Sequence, residues 1–413
     1  MEIKRNYYLQ KLIDRKNNHL IKIITGIRRC GKSYLLNHLF KDYLLNNGVN
    51  EDHIIMIALD DDENIELLDS KELGKFIKNK IKDDNLYYIL LDEIQLVNNF
   101  EALLNGLLRK ENLDIYVTGS NSKFLSTDII TEFRGRGDEI RVYPLSFKEF
   151  YSNYDGSKMD AWLEYYTYGG LPLVLSYLKE EDKMQYLESQ KQNVYLNDVI
   201  ERNNIQNKEE LEKLLEIISS SVGSLTNPLK LSRTFKSFNN ETTLTDKTIY
   251  NYLSYLEDAF IIEKSLRYDI KGKKYIDTPY KYYFTDIGIR NAVLNFRQQE
   301  ENHIMENIIY NELRCRGYKV DVGMVEIRNS EGQKQYEIDF IANKGNNKYY
   351  IQSALNIDTR EKREQEEKSL MNVNDFFKKI IIVKDDIKRW RDENGIIIMG
   401  ITDFLLDEDS LNY

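Results

Sequence analysis

The residues best suited to chemistry form a glycine-rich loop near the start of the chain, over residues 26–33. The loop follows an apolar run, Ile21 to Thr25, which predicts a buried strand, and it precedes apolar residues at helical spacing over 34–40. Two glycines let the backbone turn so that amide hydrogens converge on phosphate oxygens, and the helix N-terminus adds positive charge. The pattern predicts a site for the phosphates of ATP or GTP. The residues predicted to bind the nucleotide are Gly26, Ile27, Arg28, Arg29, Cys30, Gly31, Lys32, Ser33 and Tyr34.

Acidic residues follow a second apolar run, Tyr87 to Leu91, which ends in Asp92-Glu93. This is the pattern of a parallel strand buried on both faces with acids at its carboxyl end. Lys32 is predicted to contact the β- and γ-phosphates, and Ser33 to ligate magnesium. Asp92 is predicted to hold a magnesium-bound water, and Glu93 to polarise the attacking water. The alternative is that both acids cap the helix that follows.

A third buried run, Asp114 to Thr118, is followed by the small polar residues Gly119-Ser120-Asn121. Polar side chains at the end of this strand are candidates for sensing the γ-phosphate. Ser120 and Asn121 are the two candidates, and a helix cap is the alternative role for Asn121.

These motifs, taken together, resemble a family of prokaryotic AAA-type ATPases whose C-terminal half is a domain of unknown function. The resemblance covers nearly the whole chain, and its motifs occur in the order that the family shows. The segments that carry it are Gly26 to Ser33, Leu91-Asp-Glu-Ile-Gln95, Thr118-Gly-Ser-Asn121, Gly135-Arg136, Pro144-Leu-Ser-Phe147 and Tyr168-Gly-Gly-Leu-Pro172. The resemblance implies ATP as the nucleotide, with Mg²⁺. It also implies that Arg136 is an arginine finger supplied to a neighbouring subunit of a homo-oligomer. A surface ion pair is the alternative for Arg136.

Composition limits the classes of function. The chain has 413 residues, with 58 Lys and Arg against 68 Asp and Glu, for a net charge of −10. An acidic chain is not attracted to nucleic acid as a whole, so any contact with DNA must be local. The absence of a long apolar stretch or secretion signal predicts a cytoplasmic protein. The two cysteines, Cys30 and Cys315, predict neither a disulfide nor a metal site.

The pattern of apolar residues predicts an α/β chain of four parts. Residues 1–150 are predicted to form a P-loop AAA-type core around a parallel sheet, and residues 151–203 a helical lid. Residues 204–296 have the order helix, helix, helix and hairpin, which is typical of a winged helix. Residues 297–413 resemble the restriction-endonuclease-like α/β fold.

The predicted winged helix supplies candidates for contact with DNA. Lys247 lies on the polar face of the third helix, and Lys271, Lys273 and Lys274 lie at the tip of the hairpin. Lysines at these places are suited to phosphate contacts. Winged helices also serve as packing or protein-binding modules, in which such lysines are only solvated.

The C-terminal part carries an incomplete nuclease pattern. Active members of the fold bind magnesium with acids on neighbouring strands and use a nearby lysine to position water. Here Glu306, Glu337 and Asp339 supply acids, but Gln352 and Ala354 stand where an acid and the lysine belong. A degenerate site without cleavage is therefore expected. A displaced lysine from the following helix, Lys362 or Lys368, could restore it.

The sequence thus predicts a magnesium-dependent ATPase whose nucleotide state controls a DNA-associated winged-helix and nuclease-like module. An ATP-gated DNA nuclease and a nucleotide-binding switch without hydrolysis are the two alternatives.

Overall fold

The computed structural model describes residues 2–120, 133, 135–238, 244–297, 300–329 and 332–413. The chain divides into two compact units. The first unit comprises Met1–Pro144 with Asp258–Phe260, and the second comprises Leu145–Glu257 with Ile261–Tyr413. The finer predicted division into lid, winged helix and nuclease-like domain stays a prediction. No helix of the described residues is long and apolar enough to cross a membrane.

The first unit is built on a five-stranded sheet. Its strands are β1 (Ile21–Thr25), β2 (Ile54–Ala58), β3 (Tyr87–Asp92), β4 (Leu113–Gly119) and β5 (Gly137–Arg141). Its helices are α1 (Asn6–Asp14), α2 (residues 32–46, with a π-helical turn over Leu35–Phe40), α3 (Ser70–Lys80) and α4 (Phe100–Leu107). The strand order is β2-β3-β4-β1-β5, and every neighbouring pair is parallel. Strands β1, β3 and β4 are buried along their whole length, which explains their continuous apolar runs. The predicted parallel-sheet core is confirmed.

A charged pair is buried inside this sheet between β1 and β4. Lys22 has 0% of its side chain exposed and Asp114 has 2%, and their charged groups are in contact. The Lys22 ammonium also donates to the Leu20 carbonyl at 2.9 Å. The Asp114 carboxylate accepts hydrogen bonds from the Asn17 amide and the Tyr116 hydroxyl, both at 3.1 Å. Since both charges are paired and hydrogen-bonded, the pair fixes β1 beside β4 without leaving a buried charge alone.

The second unit begins with helices and continues into an eight-stranded mixed sheet. Its helices are α5 (Phe147–Tyr151), α6 (Lys158–Tyr168), α7 (residues 180–202, with a π-helical segment over Gln190–Leu196), α8 (Lys208–Ser220), α9 (Pro228–Phe238), α10 (Asp246–Asp258), α11 (Ile287–Val293), α12 (Glu301–Cys315), α13 (Arg360–Met371) and α14 (Ile401–Leu406). Its strands are β6 (Ile262–Asp269), β7 (Lys274–Phe284), β8 (Lys319–Asn329), β9 (Gly332–Lys344), β10 (Asn347–Ala354), β11 (Lys378–Val383), β12 (Trp390–Arg391) and β13 (Ile397–Gly400). Their order is β12-β13-β11-β10-β9-β8-β6-β7.

The three helices and the hairpin predicted for residues 204–296 are present as α8, α9, α10 and β6–β7. The hairpin does not stand alone, because β6 pairs in parallel with β8 over Arg267 to Asp269. The eight-stranded sheet therefore continues across residue 296. Strand β7 also begins earlier than the sequence indicates, at Lys274, so this lysine lies within the strand.

The glycine pair at residues 169–170 lies in a tightly packed junction inside the second unit. Gly169 has a φ of +74°, and a Cβ there would lie 2.4 Å from Asp286 Oδ1. The Asp286 carboxylate accepts hydrogen bonds from the Gly170 amide at 2.8 Å and the Ile289 amide at 3.0 Å. Asn291 donates to two carbonyls at the end of α6. These bonds join the end of α6 to the start of α11. The two segments approach so closely that only glycine fits at residue 169.

Candidate functional site

The glycine-rich loop connects β1 to α2 at the carboxyl edge of the first sheet. Gly26 has a φ of +148°, and a Cβ there would lie 2.1 Å from the Val142 carbonyl oxygen. Gly31 and Arg29 also have positive φ values, +98° and +66°. The loop therefore follows a path that side chains disfavour at these turns, with its backbone pressed against the chain that follows β5.

Lys32 is the buried cation of the loop. Only 4% of the residue is exposed, and its ammonium donates to the carbonyls of Gly26 at 3.0 Å and Ile27 at 3.1 Å. Ser33 and Tyr34 are exposed at the start of α2, and the Tyr34 ring stacks on His38. Lys32 thus lies at the centre of the loop, where its charge can reach a bound phosphate.

The loop is also held from outside by a residue that the sequence reasoning missed. Arg5 is 3% exposed, and its guanidinium donates to the Cys30 carbonyl at 2.9 Å and the Tyr143 carbonyl at 2.6 Å. The Cys30 thiol is buried and contacts the Val142 carbonyl at 3.5 Å. Cys30 is therefore a packing residue of the loop. No motif near the N-terminus pointed to Arg5.

Asp92, at the end of β3, is brought to the start of α2. Its carboxylate accepts a hydrogen bond from the Thr118 hydroxyl and another, at 3.1 Å, from the Asn37 amide. Burial raises the pKa of the Asp92 carboxyl, although the nearby Thr118 and Ser33 hydroxyls oppose this shift. The two predicted magnesium ligands, Ser33 and Asp92, therefore lie near each other at the start of α2. Asn37 and Thr118 were not predicted.

Glu93 stands beside Asp92 in a left-handed conformation, with a φ of +52°. Its amide donates to the Thr118 hydroxyl at 2.9 Å, and its carboxylate accepts bonds from the Gln95 amide and, at 3.2 Å, from the Ser120 hydroxyl. Ser120 in turn accepts a bond from Arg28 Nε at 3.2 Å. Glu93 makes no side-chain cap bond to the short helical turn that follows, so the capping alternative is wrong for this residue. A chain of hydrogen bonds connects the phosphate loop to Glu93 through Ser120.

Two further residues, Asn121 and Arg136, were predicted to be catalytic. Asn121 lies outside the described residues. Arg136 is exposed, and its guanidinium is 3.5 Å from Asn105 Oδ1. It makes no ion pair with any residue in the described parts of the chain, so the surface ion pair considered for it is not seen there.

A second cluster of charged residues lies in the second unit. Glu306 of α12 and Glu337 and Asp339 of β9 converge there, as the nuclease-like pattern predicts. The Gln352 side chain accepts a bond from the Asp339 amide at 3.4 Å, and the Ser353 amide donates to the Asp339 carboxylate at 2.9 Å. All four residues of the predicted degenerate site are therefore close together.

The lysine in this acidic cluster is not one that the sequence indicated. Lys281 of β7 makes ion pairs with all three acids. Lys362 instead donates to Asn356 at 2.7 Å, and Lys368 lies over the Tyr336 ring. The lysine beside these acids is therefore Lys281 of β7, and neither of the two lysines of α13 that could have restored the site.

The candidate residues for DNA contact are all exposed. Lys247 lies on α10, and the other three surround the turn between β6 and β7. The Asp269 carboxylate accepts a hydrogen bond from the Lys271 backbone amide at 3.1 Å, which fixes this turn. The Lys271 ammonium donates a hydrogen bond to the Glu326 carbonyl at 2.8 Å. Lys273 and Lys274 make no ion pair within the described residues, and they form a small basic tip on an acidic chain.

The parallel sheet, the glycine-rich loop and the acids at the next strand define a P-loop protein with an AAA-type core. Residues 18–151 match the family model described as an AAA domain, and residues 159–300 match a domain of unknown function, DUF8612. An uncharacterized protein of Haemophilus influenzae is 35% identical over 410 residues, which is 98% of each chain. The uncharacterized protein MJ1544 of Methanocaldococcus jannaschii is 31% identical over 371 residues, covering 86% of this chain and 78% of that protein. The chain belongs to this family of AAA-domain proteins with a C-terminal domain of unknown function, as the resemblance indicated.

A solved structure supports the fold. The Walker-type ATPase PABY2304 of Pyrococcus abyssi is similar with a TM-score of 0.50 and 19% identity, over 71% of this chain and 96% of that chain. At this identity the likeness shows the fold alone.

The close approach of Gly26 to Val142 gives a direct prediction. Gly26→Ala is expected to lower the free energy of unfolding by about 2 kcal/mol, because the added Cβ collides with a backbone oxygen at a strained φ. Urea unfolding of the protein alone would measure this. Gly106→Ala is the matched control. Gly106 lies in α4, a Cβ there would meet no atom within 4 Å, and alanine is more favourable than glycine inside a helix. Equal unfolding midpoints for the two variants would contradict the prediction.

Proposed function

We propose that the protein binds ATP with Mg²⁺ at the phosphate loop and hydrolyses it, and that the bound nucleotide controls the second unit. The observation that carries this proposal is the cluster at the carboxyl edge of the first sheet. There Asp92 is bonded to Asn37 of α2 near Ser33, and Glu93 is linked to the loop through Ser120. Membership of a family with an AAA domain supports it.

The residues present fit a magnesium-bound triphosphate. The Ser33 hydroxyl and the Asp92 carboxylate are hard oxygen donors, which Mg²⁺ prefers, and they already lie side by side. Lys32 adds a fixed positive charge, and the loop amides add hydrogen-bond donors for phosphate oxygens. Magnesium, when bound with the nucleotide, neutralises phosphate charge. These residues hold and orient the triphosphate.

Glu93 is the residue that we assign to the attacking water. Its carboxylate is half-buried and is held by Ser120 and Gln95, so its direction is fixed before any substrate binds. A carboxylate beside the magnesium ligands, but not itself among them, is placed to accept a proton from water as it attacks the γ-phosphate.

The proposal also includes a role for Arg136 in an oligomer and a statement about DNA cleavage by the second unit. An exposed arginine without a described ion pair suits an arginine finger that serves the nucleotide of a neighbouring subunit in a homo-oligomer. In the second unit, cleavage of DNA is not proposed, because Gln352 and Ala354 replace the acid and lysine that cleavage needs.

Substitution of the two central residues tests hydrolysis. Lys32→Ala is expected to lose nucleotide binding, because the loop then lacks its cation. Glu93→Gln is expected to bind ATP and to lower turnover by about 10² or more, the contribution of a general base. Phosphate release, measured beside the binding of a fluorescent ATP analogue, distinguishes the two effects.

An exposed ion pair on α3 offers matched controls. Glu72 and Lys75 are 2.7 Å apart at the surface of the same unit, so Glu72→Gln and Lys75→Ala should behave as wild type. If wild type released no more phosphate than Lys32→Ala, the chain would be a nucleotide-binding switch without hydrolysis. If Glu93→Gln released phosphate as fast as wild type, the assignment of Glu93 to the attacking water would be wrong.

The hydrogen bonds from Arg28 through Ser120 to Glu93 predict coupled substitutions. Arg28→Ala and Ser120→Ala are each expected to lower turnover about tenfold, since each breaks the same bonded chain to the base. The double variant should be little worse than either single variant, because the second change removes a link that is already broken. Turnover numbers at saturating ATP measure this. Fully multiplicative losses would show that the residues act independently.

We also propose that the hairpin tip contacts DNA backbone. Lysines at 271, 273 and 274 concentrate positive charge on an acidic chain. Their joint replacement by glutamate is expected to weaken DNA binding and to reduce its dependence on salt concentration, because phosphate contacts release counterions. Fluorescence anisotropy with duplex DNA at several salt concentrations measures both effects.

The control for this variant makes the same change in charge elsewhere. Lys71, Lys78 and Lys80 are exposed on α3 in the first unit, and their replacement by glutamate should leave DNA binding nearer to wild type. Equal loss in both triple variants would mean that net charge alone controls the affinity.

A further inference from the structure

Lys281 occupies the centre of the acidic cluster in the second unit. The residue is 3% exposed, and its ammonium is 2.7 Å from Glu306 Oε1, 2.8 Å from Glu337 Oε1 and 3.5 Å from Asp339 Oδ1. An ammonium has three N–H donors, and here three carboxylates surround it. It donates hydrogen bonds to Glu306 and Asp339 and forms an ion pair with Glu337.

The carboxylates receive further hydrogen bonds from the protein itself. The Tyr283 hydroxyl donates to Glu306 Oε1 at 2.6 Å, and the Ser353 amide donates to Asp339 Oδ2 at 2.9 Å. Gly223 passes so close that a Cβ there would lie 3.0 Å from Glu306 Oε2. Glu306 and Asp339 are therefore fixed in direction by strands and loops of the second unit, beside the Lys281 ammonium.

The charges in the cluster agree with a cation at this point. Burial acts to lower the pKa of Lys281, but Glu306, Asp339 and Glu337 together raise the pKa above its ordinary value, so the amine stays charged. Burial and the nearby Glu306 raise the pKa of Asp339 to about 7. Two buried acids, Glu306 and Asp339, need a cation, and the chain supplies one.

We propose that Lys281 is the resident cation of this cluster and occupies the place of the divalent metal ion that such a set of acids would otherwise bind. Within the described residues, no group of three or more His, Cys, Asp and Glu side chains is arranged to hold a metal ion. With the lysine in place, the three acids are instead spaced around its ammonium, at 2.7, 2.8 and 3.5 Å. This role of Lys281 goes beyond the proposed ATPase, because it belongs to a site that hydrolysis of ATP does not use.

Displacement of this cation by a metal is opposed by the backbone. Lys281 is paired with Ser265 in the β6–β7 ladder, and its neighbours Tyr282 and Tyr283 are paired as well. A metal ion would have to withdraw the lysine from the acids or shift a hydrogen-bonded strand. A tethered cation also competes at a high effective concentration. The wild-type cluster is thus closed to divalent cations.

The test is a titration with Mn²⁺ in the absence of nucleotide, in which the electron paramagnetic resonance signal of free Mn²⁺ measures how much of the ion is bound. The cluster of wild type is expected to bind no Mn²⁺, whereas Lys281→Ala is expected to gain one Mn²⁺ per chain. The small side chain leaves room for an ion beside Glu306 and Asp339, and the partly exposed Glu337 can turn towards it. The gain should be lost in Lys281→Ala/Asp339→Asn. Thermal unfolding of Lys281→Ala should shift upward with Mn²⁺, while that of wild type should not.

Lys264→Ala is the matched control. This half-buried lysine lies on β6 and pairs with Glu257 at 3.9 Å, outside the cluster, so its loss should create no Mn²⁺ site. Binding of Mn²⁺ by wild type that disappears in Glu337→Gln would overturn the proposal. It would also be overturned if folded Lys281→Ala bound no Mn²⁺, or if that variant stayed unfolded with and without the ion.

Discussion

The alignment of parallel strands at one edge of the first sheet is the constraint on which the candidate site depends. Ala58 pairs with Asp92, Leu91 with Val117 and Thr25 with Gly119, so β1, β3 and β4 end together. Residues from distant parts of the chain therefore meet at that edge. The buried pair Lys22 and Asp114 fixes two of these strands side by side. Because the register is set by the backbone, the positions of the phosphate loop, the acids and Ser120 follow from it.

Much of this edge could be predicted from the sequence, because each of its motifs is local. A glycine-rich loop between a strand and a helix, and acids after a buried strand, carry their geometry in adjacent residues. Arg5 and Asn37 could not be found this way. Arg5 reaches carbonyls at residues 30 and 143, and Asn37 reaches Asp92, so their roles depend on tertiary contacts with no pattern in the chain.

Lys281 shows a different limit of sequence reasoning. The acids of the cluster were predicted from their spacing and from the resemblance to a nuclease-like fold. The lysine was considered only at positions C-terminal to these acids. It comes instead from β7, which the sequence assigns to a hairpin with solvated lysines. A lysine among tyrosines at an edge strand gives no local sign of burial. Only the pairing of β6 with β8 places it beside β9 and α12.

The same pairing has a consequence for how the second unit unfolds. The hairpin supplies both a neighbour for β8 and the one described ammonium that pairs with Glu306, Glu337 and Asp339. A chain truncated to residues 297–413 would lose both at once, leaving an uncovered strand edge and three acids in mutual repulsion. We therefore expect the hairpin and the segment that follows it to fold together, although the sequence between them contains a predicted domain boundary.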